Sequence, residues 1–146
     1  GLGGLVLLLA FRMGILELHF GKLKKMGRSW RKRLQGPLVL TLKTSTESVK
    51  MPIHQILWIK SEANYCSVVT AERKILVLAT LKSFEDQLEE EGNFMRVHRS
   101  FIVNLKQVTG VKRTEVRIGD TYIPVGTTYQ AAYLQFYKAY SDELVE

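Results

Sequence analysis

The sequence predicts a mainly β fold with two short helices, preceded by a separate N-terminal helix. Three observations lead there. After Gly36-Pro37 the chain breaks into short runs rich in Val, Ile, Thr and Tyr, separated by turn residues, which is how strands read. Only two later stretches space their apolar residues by three or four, as helices do. Residues 1–36 have a different texture, apolar first and cationic after.

That N-terminal segment accounts for the charge of the chain. It holds Arg12, Lys22, Lys24, Lys25, Arg28, Arg31, Lys32 and Arg33 against Glu17 alone, a net of +7, which is the formal net charge of all 146 residues. Residues 37–146 therefore carry no net charge, and the basic pI is no argument that they bind nucleic acid. The uninterrupted apolar run, Gly1 to Phe11, is too short to span a bilayer by itself. Cations after an apolar run are the order expected where a membrane helix emerges on the cytoplasmic side, and the reverse of a signal peptide. Three readings stay open: the end of a membrane helix running into a juxtamembrane basic helix, an amphipathic helix on an anionic leaflet, or a solvated helix packed on the domain or a partner. On the first two, Lys22, Lys24, Lys25, Arg28, Arg31, Lys32 and Arg33 face the membrane surface. The chain is then tethered to the cytoplasmic face of the inner membrane.

Gln35-Gly36-Pro37 ends the segment, since glycine closes helices in the left-handed conformation and proline cannot continue one. Two domains follow from this, 1–36 and 37–146. Strands are expected near 38–43, 48–51, 56–60, 65–70, 74–79, 94–98, 107–112, 115–118 and 121–125. Thr44-Ser45-Thr46-Glu47 is a first turn, Ala71-Glu72 a tight hairpin, and Gly119-Asp120 the last one. Pro52 points to a sheet edge or a short helical turn before Ile56. Thr80 is placed to cap a helix whose Leu81, Phe84 and Leu88 form a buried stripe up to about Glu90. Thr128 is placed to cap the last helix, in which Tyr133, Phe136, Tyr137 and Tyr140 recur at helical spacing.

Catalytic and metal chemistry find no purchase. One cysteine, Cys66, rules out an internal disulfide and every multi-cysteine zinc pattern, which makes a reducing, cytoplasmic setting the expectation. His19, His54 and His98 lie far apart and form no paired-ligand spacing. There is no phosphate-binding GxxxxGK[ST] loop. Cys66, inside a strand-like run, reads as a small buried hydrophobe, and the acids between Glu85 and Glu91 as a solvated helix face. No enzyme, cofactor or metal is expected.

Four stretches remain that none of this explains: IKSEANY (Ile59–Tyr65), TLKSFE (Thr80–Glu85), FMRVHRSFIVN (Phe94–Asn104) and IPVGTTY (Ile123–Tyr129). In order and spacing they resemble the LytTR family of bacterial transcription regulators, over roughly Leu38 to Tyr137. The resemblance implies an elongated arrangement of small, mostly antiparallel sheets, and double-stranded DNA as the partner. Loops between strands would enter successive major grooves, with homodimers on repeated sites. It also implies three contact loops. In the first, Asn64 or Tyr65 reaches DNA; asparagine can bond adenine bidentately, and an Asn turn bonding its own backbone is the alternative. In the second, Arg99 reads guanine with its guanidinium fork, His98 adds a contact, and Arg96 clamps phosphate. A surface ion pair with the acids of 85–91 is the alternative for these arginines. In the third, Thr127 stands where the family commonly has an arginine, and a hydroxyl cannot supply a charged fork; Thr128 beside it either joins the contact or simply caps the helix. Between Phe94 and Arg117 the local net is +5, with Arg96, Arg99, Lys106, Lys112, Arg113 and Arg117 against Glu115. That field is one-sided only if the 85–91 acids lie opposite. The rival reading is a protein-interaction or oligomerisation module of the same fold that no longer binds specific DNA.

Overall fold

The computed structural model describes residues 38–91 and 93–145. The helix expected over 1–36 and its membrane-surface cations lie outside the described residues. Ten strands and two α-helices follow. β1 (Val39–Lys43) and β2 (Ser48–Pro52) make a two-stranded hairpin. Thr44 closes it, its Oγ1 accepting from the Glu47 amide at 3.0 Å. Pro52 ends the strand and opens a 3-10 turn, Ile53–Gln55, where its missing N–H costs no ladder bond.

β3 (Ile56–Glu62), β4 (Tyr65–Thr70), β5 (Lys74–Val77), β6 (Phe94–His98) and β7 (Phe101–Asn104) form a five-stranded sheet in the order β5-β4-β3-β7-β6. Every neighbouring pair is antiparallel. β8 (Gly110–Val111), β9 (Glu115–Ile118) and β10 (Thr121–Pro124) form a smaller antiparallel sheet. Its last hairpin turns at Gly119, whose φ of +60° a side chain would strain.

Two strand expectations need correcting. β7 lies outside the expected strands because Phe101-Ile102-Val103 is apolar on both faces; Ile102 and Val103 are both buried, so no alternation marks it. The strand expected over 107–112 shrinks to Gly110–Val111, because Leu105–Gln107 is a 3-10 turn. Asn104 starts that turn, its Oδ1 accepting from the Lys106 amide at 3.1 Å.

α1 (Leu81–Leu88) begins at Thr80, whose hydroxyl accepts from the Ser83 amide at 3.1 Å. Leu81, Phe84 and Leu88 are buried against β3, β6 and β7. A second apolar cluster joins the two sheets: Val97 and Val103 meet Val116, Ile118 and Ile123 of the small sheet and Tyr133 of α2 (Gln130–Val145). The adjacent residues Ile102 and Val103 thus serve opposite faces of one strand. Cys66 is buried, its Sγ donating to the Ala79 carbonyl at 3.1 Å, and burial pushes its thiol pKa up, as suits an inert hydrophobe.

Asn104 is the polar keystone of the core. At 1% exposure its amide donates to the Ile56 carbonyl at 2.8 Å, while its oxygen also accepts from the Asn93 side chain at 3.0 Å. Asn104→Ala strands a buried carbonyl, and the expected loss is about 1–3 kcal/mol of unfolding free energy. Urea denaturation measures it; an unchanged midpoint would mean that water replaces the amide at no cost.

Candidate nucleic-acid interface

Antiparallel pairing decides where the turns go. β3 runs into the Ala63-Asn64 turn, and β7, beside it and opposite in direction, begins just after the His98–Ser100 turn. Both turns therefore fall at the same end of the five-stranded sheet. The Ser61 amide donates to the Ser100 carbonyl at 2.8 Å and ties them together. A third segment joins them: the Gly126 amide donates to the Val97 carbonyl at 2.7 Å, bringing Gly126–Thr128 beside His98. A Cβ on Gly126 would stand 3.5 Å from the His98 ring, which shows how near the two segments come.

In the first turn only Ala63 and Asn64 leave the ladder, since Glu62 and Tyr65 are still paired. The positive φ, +49°, falls on Ala63 rather than on Asn64. This left-handed residue costs roughly 1–2 kcal/mol relative to a helical or extended one. Asn64 is exposed, and its amide makes no hydrogen bond among the described residues, so it is not spent on an Asn turn. Tyr65 starts β4, half-buried. Behind it Glu62 accepts from the buried Ser67 hydroxyl at 2.5 Å, and chiefly this bond holds its carboxyl below the usual range.

In the second turn His98 Nδ1 accepts from the Ser100 amide at 3.0 Å, and the imidazole meets Phe101 edge-on. With Nδ1 accepting, a neutral ring carries its proton on Nε2, which is then a donor. Arg99 is exposed, and no acid among the described residues pairs with it. Arg96 behaves differently from the expected phosphate clamp. A bulge between Arg96 and His98 breaks the two-residue alternation, and the guanidinium turns inward. Its Nη2 donates to the Arg99 carbonyl at 2.8 Å, and its Nε reaches the His98 carbonyl at 3.4 Å. It also meets Glu85 at 3.6 Å and lies 5.7 Å above the Tyr129 ring. Arg96 is a brace that links α1, the second turn and the third.

In the third segment Thr127–Tyr129 is a 3-10 turn that leads into α2 at Gln130. Thr128 therefore does not cap the helix as expected; the N-cap position is Gly126, which has no side chain to use. Thr127 and Thr128 are exposed.

The charge distribution also departs from expectation. The 85–91 acids are not opposite the cations, because Glu85 touches Arg96. Arg117 is bound within its own sheet, its Nη2 donating to the Thr109 carbonyl at 3.0 Å. Lys106 lies beyond Asn104, at the far end of β7 from Arg99. What remains near the three turns is Arg99, Lys60, and the β8–β9 turn, where Lys112 and Arg113 sit. Along the sequence the residues of that turn register only as charge. It is brought here by its own bonds: the Val125 amide donates to the Thr114 carbonyl at 2.9 Å, one residue before Gly126 reaches Val97. Tyr133 of α2 fastens the turn from beneath, its buried hydroxyl bonding the Lys112 and Glu115 carbonyls. No sequence pattern could reveal this, since Lys112 and Val97 meet only through a third segment.

Among the described residues no cluster of three or more His, Cys, Asp or Glu could hold a metal, and no helix is long and apolar enough to cross a membrane.

The arrangement is thus a mainly β domain with a polar end built from turns rather than from a helix. The chain belongs to the LytTr DNA-binding domain family, whose model it matches over residues 46–137. A solved LytTr DNA-binding domain, of a Bacillus cereus protein described as a methyl-accepting/DNA response regulator, is similar to it. Identity is 25%, with a TM-score of 0.56, over 66% of this chain and 93% of that one. No curated protein sequence matches the chain. At the level of its family it is a DNA-binding regulatory domain, and the family is defined by binding rather than by catalysis.

Burial pushes the Tyr133 phenol up to about 12. Because the folded value lies above the free value of about 10, the folded state holds its proton more tightly. The resulting stability is complete below pH ~10 and is lost as pH rises toward ~12. Thermal unfolding between pH 9 and 12 should show this alkaline decline, and Tyr133→Phe should flatten it. Parallel curves would dissociate Tyr133 from it.

Proposed function

We propose that residues 37–146 bind double-stranded DNA sequence-specifically, with the three turns entering grooves on one side of the duplex. The observation that carries this is the pair of bonds, Ser61 to Ser100 and Gly126 to Val97, by which turns distant in sequence share one end of the sheet. Asn64, whose amide bonds nothing among the described residues, suits adenine N6 and N7, and Arg99 suits guanine O6 and N7. The Tyr65 hydroxyl, the His98 Nε2–H and the hydroxyls of Thr127 and Thr128 suit phosphate or single base acceptors. Arg96 acts on DNA through the turn it holds. The reading contains no catalytic step.

The module need not be strongly basic to work. Sequence discrimination comes from base-edge bonds, while phosphate neutralisation sets overall strength and salt dependence. Two further parts complete the proposal. Residues 1–36 bring the domain to an anionic membrane surface through Lys22, Lys24, Lys25, Arg28, Arg31, Lys32 and Arg33. Homodimers occupy repeated half-sites. An interaction module without specific DNA binding is the second reading, favoured by the zero net charge of residues 37–146.

Fluorescence-anisotropy titration with DNA from upstream of the protein's own operon, against a shuffled duplex, separates the two. Preference for the native duplex is expected. Arg99→Ala should cost ~1–3 kcal/mol of that binding, roughly 5- to 150-fold, the value of one bidentate base contact. Equal affinity for both duplexes would favour the interaction module. Thr127→Arg should tighten binding by adding a fork beside the groove; weaker binding would mean that the loop approaches DNA in another orientation.

A further inference from the structure

We propose a fourth DNA-contacting element, the β8–β9 turn, whose Lys112 and Arg113 hold the phosphate backbone next to the Gly126–Thr128 segment. The inference rests on the groove-binding reading and extends it to residues outside the three turns. Gly126, Thr127 and Thr128 carry no cation, and Arg99 is the sole cation of the three turn tips. A duplex lying across this end would meet the missing charge one strand away. The Val125 and Gly126 amides, consecutive in the chain, bond the Thr114 and Val97 carbonyls at 2.9 and 2.7 Å. They stitch the β8–β9 turn to the second turn through the third.

The turn is also held in place, which a phosphate contact rewards, since an ordered cation loses less freedom on binding. The Lys112 amide donates to the Glu115 carbonyl at 2.8 Å and closes it. Tyr133 pins both carbonyls, Lys112 and Glu115, from the buried side. The Lys112 ammonium rests 4.8 Å from the centre of the Tyr122 ring, an attachment that leaves the charge in solvent. Arg113 is exposed at the tip, and no acid among the described residues pairs with it. Its guanidinium is free to straddle two phosphate oxygens.

A phosphate contact leaves a signature that a base contact or a fold defect does not. It weakens every sequence alike and lowers the salt slope by about 0.9 per phosphate. The full chain is titrated by anisotropy with a random-sequence duplex and with the upstream DNA, from about 50 to 200 mM salt. Over that fourfold range the advantage of the wild type over Arg113→Gln should shrink roughly 3.5-fold, on either duplex. Arg113→Lys should restore the slope. Lys106→Gln removes the same charge at the far end of β7 and should leave the slope unchanged. Matching thermal unfolding curves for all variants show that the fold is kept. Equal slopes for wild type and Arg113→Gln overturn the proposal while the groove reading stands. So does an equal drop with Lys106→Gln, which would make the effect one of diffuse net charge, or a loss confined to the upstream DNA, which would make Arg113 a base reader. A wild type that binds neither duplex overturns both readings.

Discussion

The antiparallel pairing of β3 with β7 is the constraint from which the polar end of this domain follows. Two strands that run in opposite directions side by side put the exit of one and the entrance of the other at the same edge. The Ala63-Asn64 turn leaves β3 there, and the His98–Ser100 turn enters β7 there, closed by the Ser61 to Ser100 bond. Were β7 shifted to pair elsewhere, both turns would keep their local shape and lose each other. The buried Asn104 guards against that shift, because its amide reaches the Ile56 carbonyl across the same strand pair.

Around this pairing the polar end is organised by groups that do not themselves face outward. Arg96 spends its charge on Glu85, on two turn carbonyls and on the Tyr129 ring, and Tyr133 spends its hydroxyl on the β8–β9 turn. Such bonds order the exposed side chains before any partner arrives, so less conformational freedom is lost on binding. The side chains that bond nothing among the described residues, Asn64, Arg99, Thr127 and Arg113, all sit on turns whose backbones are held from below. A single-stranded nucleic-acid binder would instead spread aromatics over an open sheet face. Here most large rings are drawn into packing, as in the run of contacts from Tyr133 through Phe136 to Tyr140.

Much of the fold was legible along the chain. Thr80 before a helical stripe, Ala71-Glu72 between two β-branched runs, and Gly119 before the last strand each act through local chemistry, and each does in the structure what its neighbours suggest. The misses are of another kind. β7 hides because burial on both faces erases alternation, and the strand over 107–112 gives way to a 3-10 turn made by one asparagine side chain. Thr128, a good cap in sequence, is inside a turn because the Gly126 amide is claimed by Val97. Arg96 and Arg99 look alike in sequence, and a single bulge turns one inward and leaves the other outside.

Residue chemistry and local spacing alone determined that this chain makes a mainly β domain, and four stretches in their order along it resemble the LytTR family. They also settled that its excess charge belongs to residues 1–36. Which polar residues meet at one end, which arginine is a brace, and that the 112–115 turn joins the other three were decided by tertiary structure. The reason is that hydrogen bonds between strands act across tens of residues of sequence, and neither composition nor periodicity records which backbone carbonyl a distant amide will find.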